Sequence, residues 1–242
     1  MPTVTLPPDM PARMKSLPRD SVGRPIPFFA AVVNGEHDFR FMDSKRLVEA
    51  IRDQLCWVCG SRLNRQRGSD APRGVFVAGP MCLVNRTSAE PPSHTDCATW
   101  SAKACPFLTK PAKERRETNM PDNISEAAGL MIARNPGVTA LISSLRWKVW
   151  NPKRETGIGG DGLLFEFSRI ENVLWMTEGR QAFSHEVLAS IETGLPDLIR
   201  VAQSEPGAIP HLARKLRTAL DWVAPGFSDD VPTIRWLLAR LP

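Results

Sequence analysis

Apolar residues along this chain change their period several times, and each change predicts an element. Phe28-Phe29-Ala30-Ala31-Val32-Val33 is a β-branched and aromatic run, and Phe39-Arg40-Phe41 is a second. Between them stands Asn34-Gly35, whose tolerance of positive φ predicts a hairpin. Leu47, Ile51 and Leu55 then recur every four residues behind Ser44, the pattern of an amphipathic helix with Ser44 as its N-cap. Val75-Phe76-Val77 reads as a strand closed by Gly79-Pro80. After Glu90-Pro91-Pro92, Ser93 is placed to cap a helix, with Asp96 as an acidic variant of the capping box. That helix is expected to run to about Cys105 and to stop before Pro106.

The second half begins with a helical pattern from Ile124 to Arg134, ended by Asn135-Pro136-Gly137. Trp147-Lys148-Val149-Trp150 alternates as a half-buried strand does. Leu163 to Phe167 and Val173 to Met176 predict a second hairpin, joined through 169–172. Ser184 caps a helix ending at Gly194, and Leu195-Pro196 opens another; shorter helices follow around 212–223 and 233–241. No internal repeat interrupts this order.

Composition adds punctuation. The 22 prolines enforce breaks between short elements, and five of them fall in residues 1–24, which read as a flexible arm. A charged connector, Lys113-Glu114-Arg115-Arg116-Glu117, closes at Pro121 and marks a soft boundary. The expected organisation is therefore an arm (1–24), a first module (25–120) whose chemistry is set by its cysteines, and a C-terminal α/β region (121–242). No apolar run approaches the roughly 18 residues that span a bilayer, and no secretory signal opens the chain, so a cytoplasmic location is expected.

In a reducing compartment, five cysteines that include a Cys-x-x-Cys pair read as metal ligands or buried thiols. Cys56-Trp57-Val58-Cys59-Gly60 is a knuckle that supplies two ligands from one tight turn. His94 and Cys97 stand three apart in the first turn of the predicted helix, on one face, and complete a structural zinc set. Knuckle, hairpin and ligand-bearing helix, in that order, resemble a treble-clef module over residues 56–105. The expected fold class is α+β, this module being followed by a smaller α/β region with a hairpin and several helices. Cys105 lies eight residues beyond Cys97, about 12 Å along a helix, too far to share an ion. Cys82, in an expected loop, stays open as a substitute for His94, and a metal-free reading with buried thiols stays open as well.

A full structural site leaves no position for substrate, so catalysis would have to lie elsewhere. The nucleases that use a treble clef need a histidine near the hairpin, and none lies between Gly60 and Ser93. The signature of a zinc deaminase is absent too. The run from Gly157 to Gly162 lacks the Lys-Ser/Thr of a phosphate loop and reads as a turn. Glu178, Arg180, His185 and Glu186 could build a polar site or could simply pair and favour a helix start. His37 and His211 are isolated.

Charge changes the picture in one respect. Residues 1–120 hold 18 Lys or Arg against 12 Asp or Glu, a balance of +6, and residues 121–242 hold 13 against 14, a balance of −1. An anionic partner is expected to meet the first half, with Arg62, Arg65, Arg67 and Arg73 as nucleic-acid contacts. Trp57 and Trp100 would either stack on bases or bury against the metal site.

Several segments together resemble uncharacterised bacterial and phage or prophage proteins: Arg24 to Phe29, Cys56 to Gly60, Gly79-Pro80-Met81-Cys82, Glu90 to His94, Asp96-Cys97-Ala98 and Cys105-Pro106-Phe107-Leu108. The runs Glu178-Gly179-Arg180 and Gly194-Leu195-Pro196 are similar too. The resemblance implies no established activity. The expected function is a non-enzymatic, zinc-structured binding or regulatory protein with a nucleic-acid or protein partner. The alternative is a nucleic-acid-processing or other hydrolytic enzyme with a polar site in the second half.

Overall fold

Thr139–Ser144 (β5) is a run of small and apolar residues with no alternation, because both of its faces are covered. It is the inner strand around which the protein is built. The computed structural model describes residues 6–65, 73–114, 135–156, 162–223 and 231–240. Gly74–Ala78 (β3) pairs with β5 on one side and Ile170–Thr177 (β8) on the other, and Arg180–Gln181 (β9) extends β8 to give an antiparallel sheet of order β3-β5-β8-β9. The register sets Phe76 against Ile142 and Ile142 against Val173, so one row of apolar side chains crosses the sheet.

The two faces bury different neighbours. Val75, Leu141 and Met176 pack against Ala98 and Ala102 of the helix Thr95–Ala104 (α3). Phe76, Ala140, Ile142 and Trp175 face the larger core, closed by helices Pro80–Asn85 (α2), Ser184–Gln203 (α5), Ala208–Val223 (α6) and Pro232–Leu238 (α7). A second sheet, of order β4-β7-β6, comprises Thr87–Ser88, Leu164–Phe167 and Trp147–Trp150, and the helix Pro152–Thr156 (α4) follows β6. Phe165 and Phe167 of β7 sit in the same core within ring contact of Phe76.

The first hairpin forms as the sequence predicts. Ala30–Val33 (β1) pairs with Glu36–Met42 (β2) across Asn34 and Gly35, both at positive φ (52° and 84°). Helix Ser44–Asp53 (α1) follows, capped by Asp43, whose carboxylate accepts from the Lys45 and Arg46 amides. The cap is thus one residue before the expected Ser44. The helix after Ser93 deviates the other way and starts one residue late, with His94 at its N-cap.

Elsewhere the structure departs from the pattern. β7 and β8, expected to form a hairpin, enter different sheets. Residues 184–203 form one helix, not two. Val187, Ile191, Leu195 and Ile199 keep one continuous buried stripe through Pro196, and that burial outweighs the single N–H the proline removes. Gly194 permits this helix to approach α2: a Cβ there would stand 3.2 Å from Met81 Cγ. The hairpin expected between knuckle and α3 is not found among the described residues. β3 pairs with β5 instead, and meets the returning chain through an isolated bridge in which Val75 and Ser93 exchange two hydrogen bonds (2.9 and 2.8 Å).

Residues 6–24, read as a flexible arm, are packed against the first half. A short 3-10 turn, Ala12–Met14, delivers Met14 into a cluster with Cys56, Val58, Cys59, Leu63, Cys97 and Trp100, where it retains 1% exposure. Trp100 Nε1 donates to the Pro7 carbonyl (3.2 Å), and Arg13 pairs with Asp96 (3.4 Å). The boundary expected near residue 121 separates no core: Phe76, Leu83 and Val84 share one with residues of the second half. The expected helix at 124–134 lies outside the described residues.

Candidate metal centre

Two turns and one helix start bring the four expected ligands together. Gln54, in the left-handed region at φ 56°, ends α1 and turns the chain into the knuckle. There the Cys56 amide donates to the Ser61 carbonyl (2.7 Å) and the Gly60 amide to the Cys56 carbonyl (2.9 Å), folding 56–61 into a tight loop. Gly60 has φ 71°, and a Cβ on it would stand 2.7 Å from Phe28 Cδ2, so conformation and space both require glycine. Trp57 is buried beneath the loop, stacked on Phe29 (5.4 Å between centroids) and edge-on to Phe28 (6.5 Å).

The bridge between Val75 and Ser93 holds the other pair. It fixes the backbone one residue ahead of His94, and the following helical turn places Cys97 on the same side. Ligand atoms of Cys56, Cys59, His94 and Cys97 all lie within 4.8 Å of one another, and all four residues are buried. Cys59 Sγ and His94 Nδ1 are 3.5 Å apart. Sulfur and nitrogen sharing a tetrahedral ion at usual bond lengths stand about 3.6 Å apart, so this separation suits chelation. The cluster fits a metal ion.

Main-chain groups orient the donors. Cys56 Sγ accepts from the amides of Cys59 (3.5 Å) and His94 (3.3 Å). His94 Nε2 is 3.1 Å from the Arg62 carbonyl, an acceptor only, so Nε2 carries a proton and Nδ1 is the nitrogen that faces the sulfurs.

The cluster also polarises itself. Hydrogen bonds from Cys56, Cys97 and His94 hold the Cys59 thiol far below its ordinary range. Hydrogen bonds to Cys56 and Cys59 favour the protonated Cys97 thiol and push it far above that range, with burial and the charges of the same two neighbours adding to the effect. Burial disfavours a charged His94, but hydrogen bonds and charge from Cys56 and Cys59 overcome this and raise the imidazole to about 9. A cation at the centre would reverse the balance by favouring all three thiolates at once.

The remaining sequence candidates divide. Cys82 does not replace His94: it lies on α2 against the main core, and burial pushes its thiol up to about 11. Pro80 starts a helix where a loop was expected, and so carries Cys82 away from the cluster. Cys105 caps the C-terminus of α3 and lies outside the cluster. Arg62 and Arg65 are exposed, Arg73 pairs with Glu171 (3.1 Å), and Arg67 lies outside the described residues. Trp57 and Trp100 are buried in the module, not offered to bases.

The polar group of the second half is used locally. Arg180 pairs with Glu186 (2.7 Å) and Glu178 (3.2 Å), and Glu186 also accepts from the Phe183 amide (2.8 Å), which caps α5. The Arg180 bonds, with that amide, hold the Glu186 carboxyl down to about 2. His185 stacks on Phe183. His37 lies on β2 and His211 on α6, outside the cluster, and of the Gly157–Gly162 run only Gly162 is among the described residues.

Sequence reasoning missed the outer contacts of the centre, because the carbonyls of Ser61 and Arg62 carry no side-chain signal. The packing of Met14 was equally hidden, a lone apolar residue within a proline-rich stretch. No helix among the described residues is long and apolar enough to cross a membrane. Comparison with protein-family models, curated proteins and solved structures returns no match.

Proposed function

We propose that this chain is a zinc-structured, non-enzymatic binding or regulatory protein whose first half is a treble-clef-like module that contacts nucleic acid. The observation that carries the reading is a buried, four-membered Cys-Cys-His-Cys cluster with its ligand atoms within 4.8 Å. Three thiolates and one imidazole are a donor set that zinc favours in a closed tetrahedron, where the ion stabilises the fold and offers no position to substrate. The orientation of His94 supports the same reading, since the Nε2 contact to the Arg62 carbonyl leaves Nδ1 facing the centre.

The nucleic-acid part rests on charge. The +6 balance of residues 1–120 and the exposure of Arg62 and Arg65 beside the knuckle suit phosphate contacts. Arg73 contributes less, because Glu171 already holds it.

Metal analysis of the purified protein tests the first part. About one zinc per chain is expected, and a fully folded metal-free preparation overturns the reading. Titration with a DNA duplex at several salt concentrations tests the second. Arg62→Ala and Arg65→Ala are each expected to weaken binding across sequences and to lower the salt slope by about one. Binding that does not weaken with salt rules the phosphate contacts out.

A further inference from the structure

Two half-buried cations meet where the end of α2 packs on α6. Arg86, in the left-handed region at φ 61°, follows α2 directly, and its Nη2 donates to the Thr218 carbonyl (2.8 Å) and hydroxyl (3.4 Å). Lys215, one turn earlier on α6, donates from Nζ to the Asn85 carbonyl (2.7 Å) and Oδ1 (3.4 Å). Neither forms an ion pair with a carboxylate among the described residues; their partners are neutral oxygens.

More positive charge surrounds them. Lys148 of β6 lies opposite Glu166 of β7, and the two pair at 2.9 Å. Thr87 of β4 lies opposite Glu166 on its other side, which brings this sheet face to the chain immediately after Arg86. Arg214 is exposed beside Lys215, and both repel a charge on His211. Burial lowers both Arg86 and Lys215; at Lys215 the Glu166 carboxylate opposes this, and the charges of Arg86 and Lys148 reinforce it. Arg86, Lys148 and Arg214 thus stand near Lys215, and Glu166, the carboxylate that acts on Lys215 among the described residues, is already paired with Lys148.

Placing like charges together at half burial costs free energy that carbonyl contacts offset in part. A guanidinium has five N–H donors and an ammonium three, and the four contacts to Thr218 and Asn85 engage at most four of these eight. An oxyanion would supply both the missing charge and the missing acceptors, and a phosphoryl group matches an arginine and a lysine side by side. We propose that Arg86 and Lys215, with Lys148 and Arg214 at the rim, form a binding site for a phosphoryl group. This site shares no residue with the metal centre or with the arginines beside the knuckle. It stands whether or not those arginines contact nucleic acid.

The full-length protein, titrated with inorganic phosphate against chloride at matched ionic strength, provides the test. Amide shifts in heteronuclear NMR are expected to centre on residues 85–88, 148 and 211–218. Lys215→Met and Arg86→Gln are each expected to weaken phosphate binding about tenfold or more, the effect of removing one charge-assisted hydrogen bond. Absence of phosphate-dependent shifts, shifts centred elsewhere, or affinity unchanged in both folded variants overturns the site. Should either variant fail to fold, the shift map of the unsubstituted protein decides. A DNA duplex that displaces phosphate, with steep salt dependence, identifies backbone phosphates as the source; phosphate binding without displacement identifies a free phosphoryl ligand. Both results support the site.

Discussion

His94 Nε2 donates to the main-chain carbonyl of Arg62 across 3.1 Å, and this bond decides which imidazole nitrogen faces the three sulfurs. The centre therefore needs no rearrangement of its histidine to accept a cation, and each ligand can be tested on its own.

His94→Ala is expected to lower zinc content well below the roughly one ion per chain expected of the unsubstituted protein. His94→Cys, which converts the set to four thiolates, is expected to retain it. Cys82→Ala is expected to leave the metal content unchanged, since Cys82 lies on α2 outside the cluster. Elemental analysis after gel filtration checks all three variants.

Metal uptake is expected to release protons. With His94 raised to about 9, the metal-free imidazole is largely protonated at neutral pH and must lose its proton to bind, as must the protonated thiols. Affinity should fall as pH falls, because protons compete for the same lone pairs. In the metal-free fold the sign is opposite: a raised imidazole stabilises most below its ordinary value of 6.5, and that contribution fades as pH rises through about 9. Calorimetry in buffers of different ionisation enthalpy measures the released protons.

Gly60→Ala is expected to destabilise the protein by about 1–3 kcal/mol, as a side chain at positive φ does. Gly60→Ala combined with Phe28→Leu should recover the steric part and retain the conformational part, because Phe28 is the ring that a Cβ would strike at 2.7 Å. Denaturant unfolding of the single and double variants separates the two costs.

Met14→Ala is expected to cost about 2–5 kcal/mol, the range for emptying a buried methionine site. An arm free of the module would give almost no change. Its 1% exposure and its place beside Cys56 and Cys97 predict a weaker hold on the metal as well, readable as faster transfer of zinc to a chelator.

The metal centre was legible because its ligands announce themselves as two short spacings, and chelation needs little else. Choosing between His94 and Cys82 took the structure: Gly79-Pro80 marks the end of a strand equally well whether a loop or a helix follows. β5 escaped notice because periodicity is informative when one face is wet, and both faces of 139–144 are covered. β7 and β8, adjacent in sequence, were read as partners, although β7 pairs with β6 and β8 with β5, each more than a dozen residues earlier in the chain, and the local partner of β8 is the short β9 that follows it. Pro196 is a helix breaker by local rule, overridden by a buried stripe that a window around the proline does not reveal. Asn34-Gly35 was readable because backbone conformation there is set by the residues themselves, whereas the cap of α1 was read one residue late, since Asp43 and Ser44 are both capping types and the sequence does not choose between them.

Val75 is bonded to Ser93 on one side and stands opposite Ser143 on the other, and this has a consequence for the order in which the protein is made. During synthesis from the N-terminus, the knuckle and the start of α3 emerge before residue 100, while β5 arrives only at 139–144. A nascent chain that has already closed around its metal therefore carries an apolar strand, Gly74–Ala78, with one border unpaired. Such a border is where chains adhere to one another. Rapid elongation through the charged stretch before β5, or a chaperone that shields β3 until then, is expected to raise the yield of native protein.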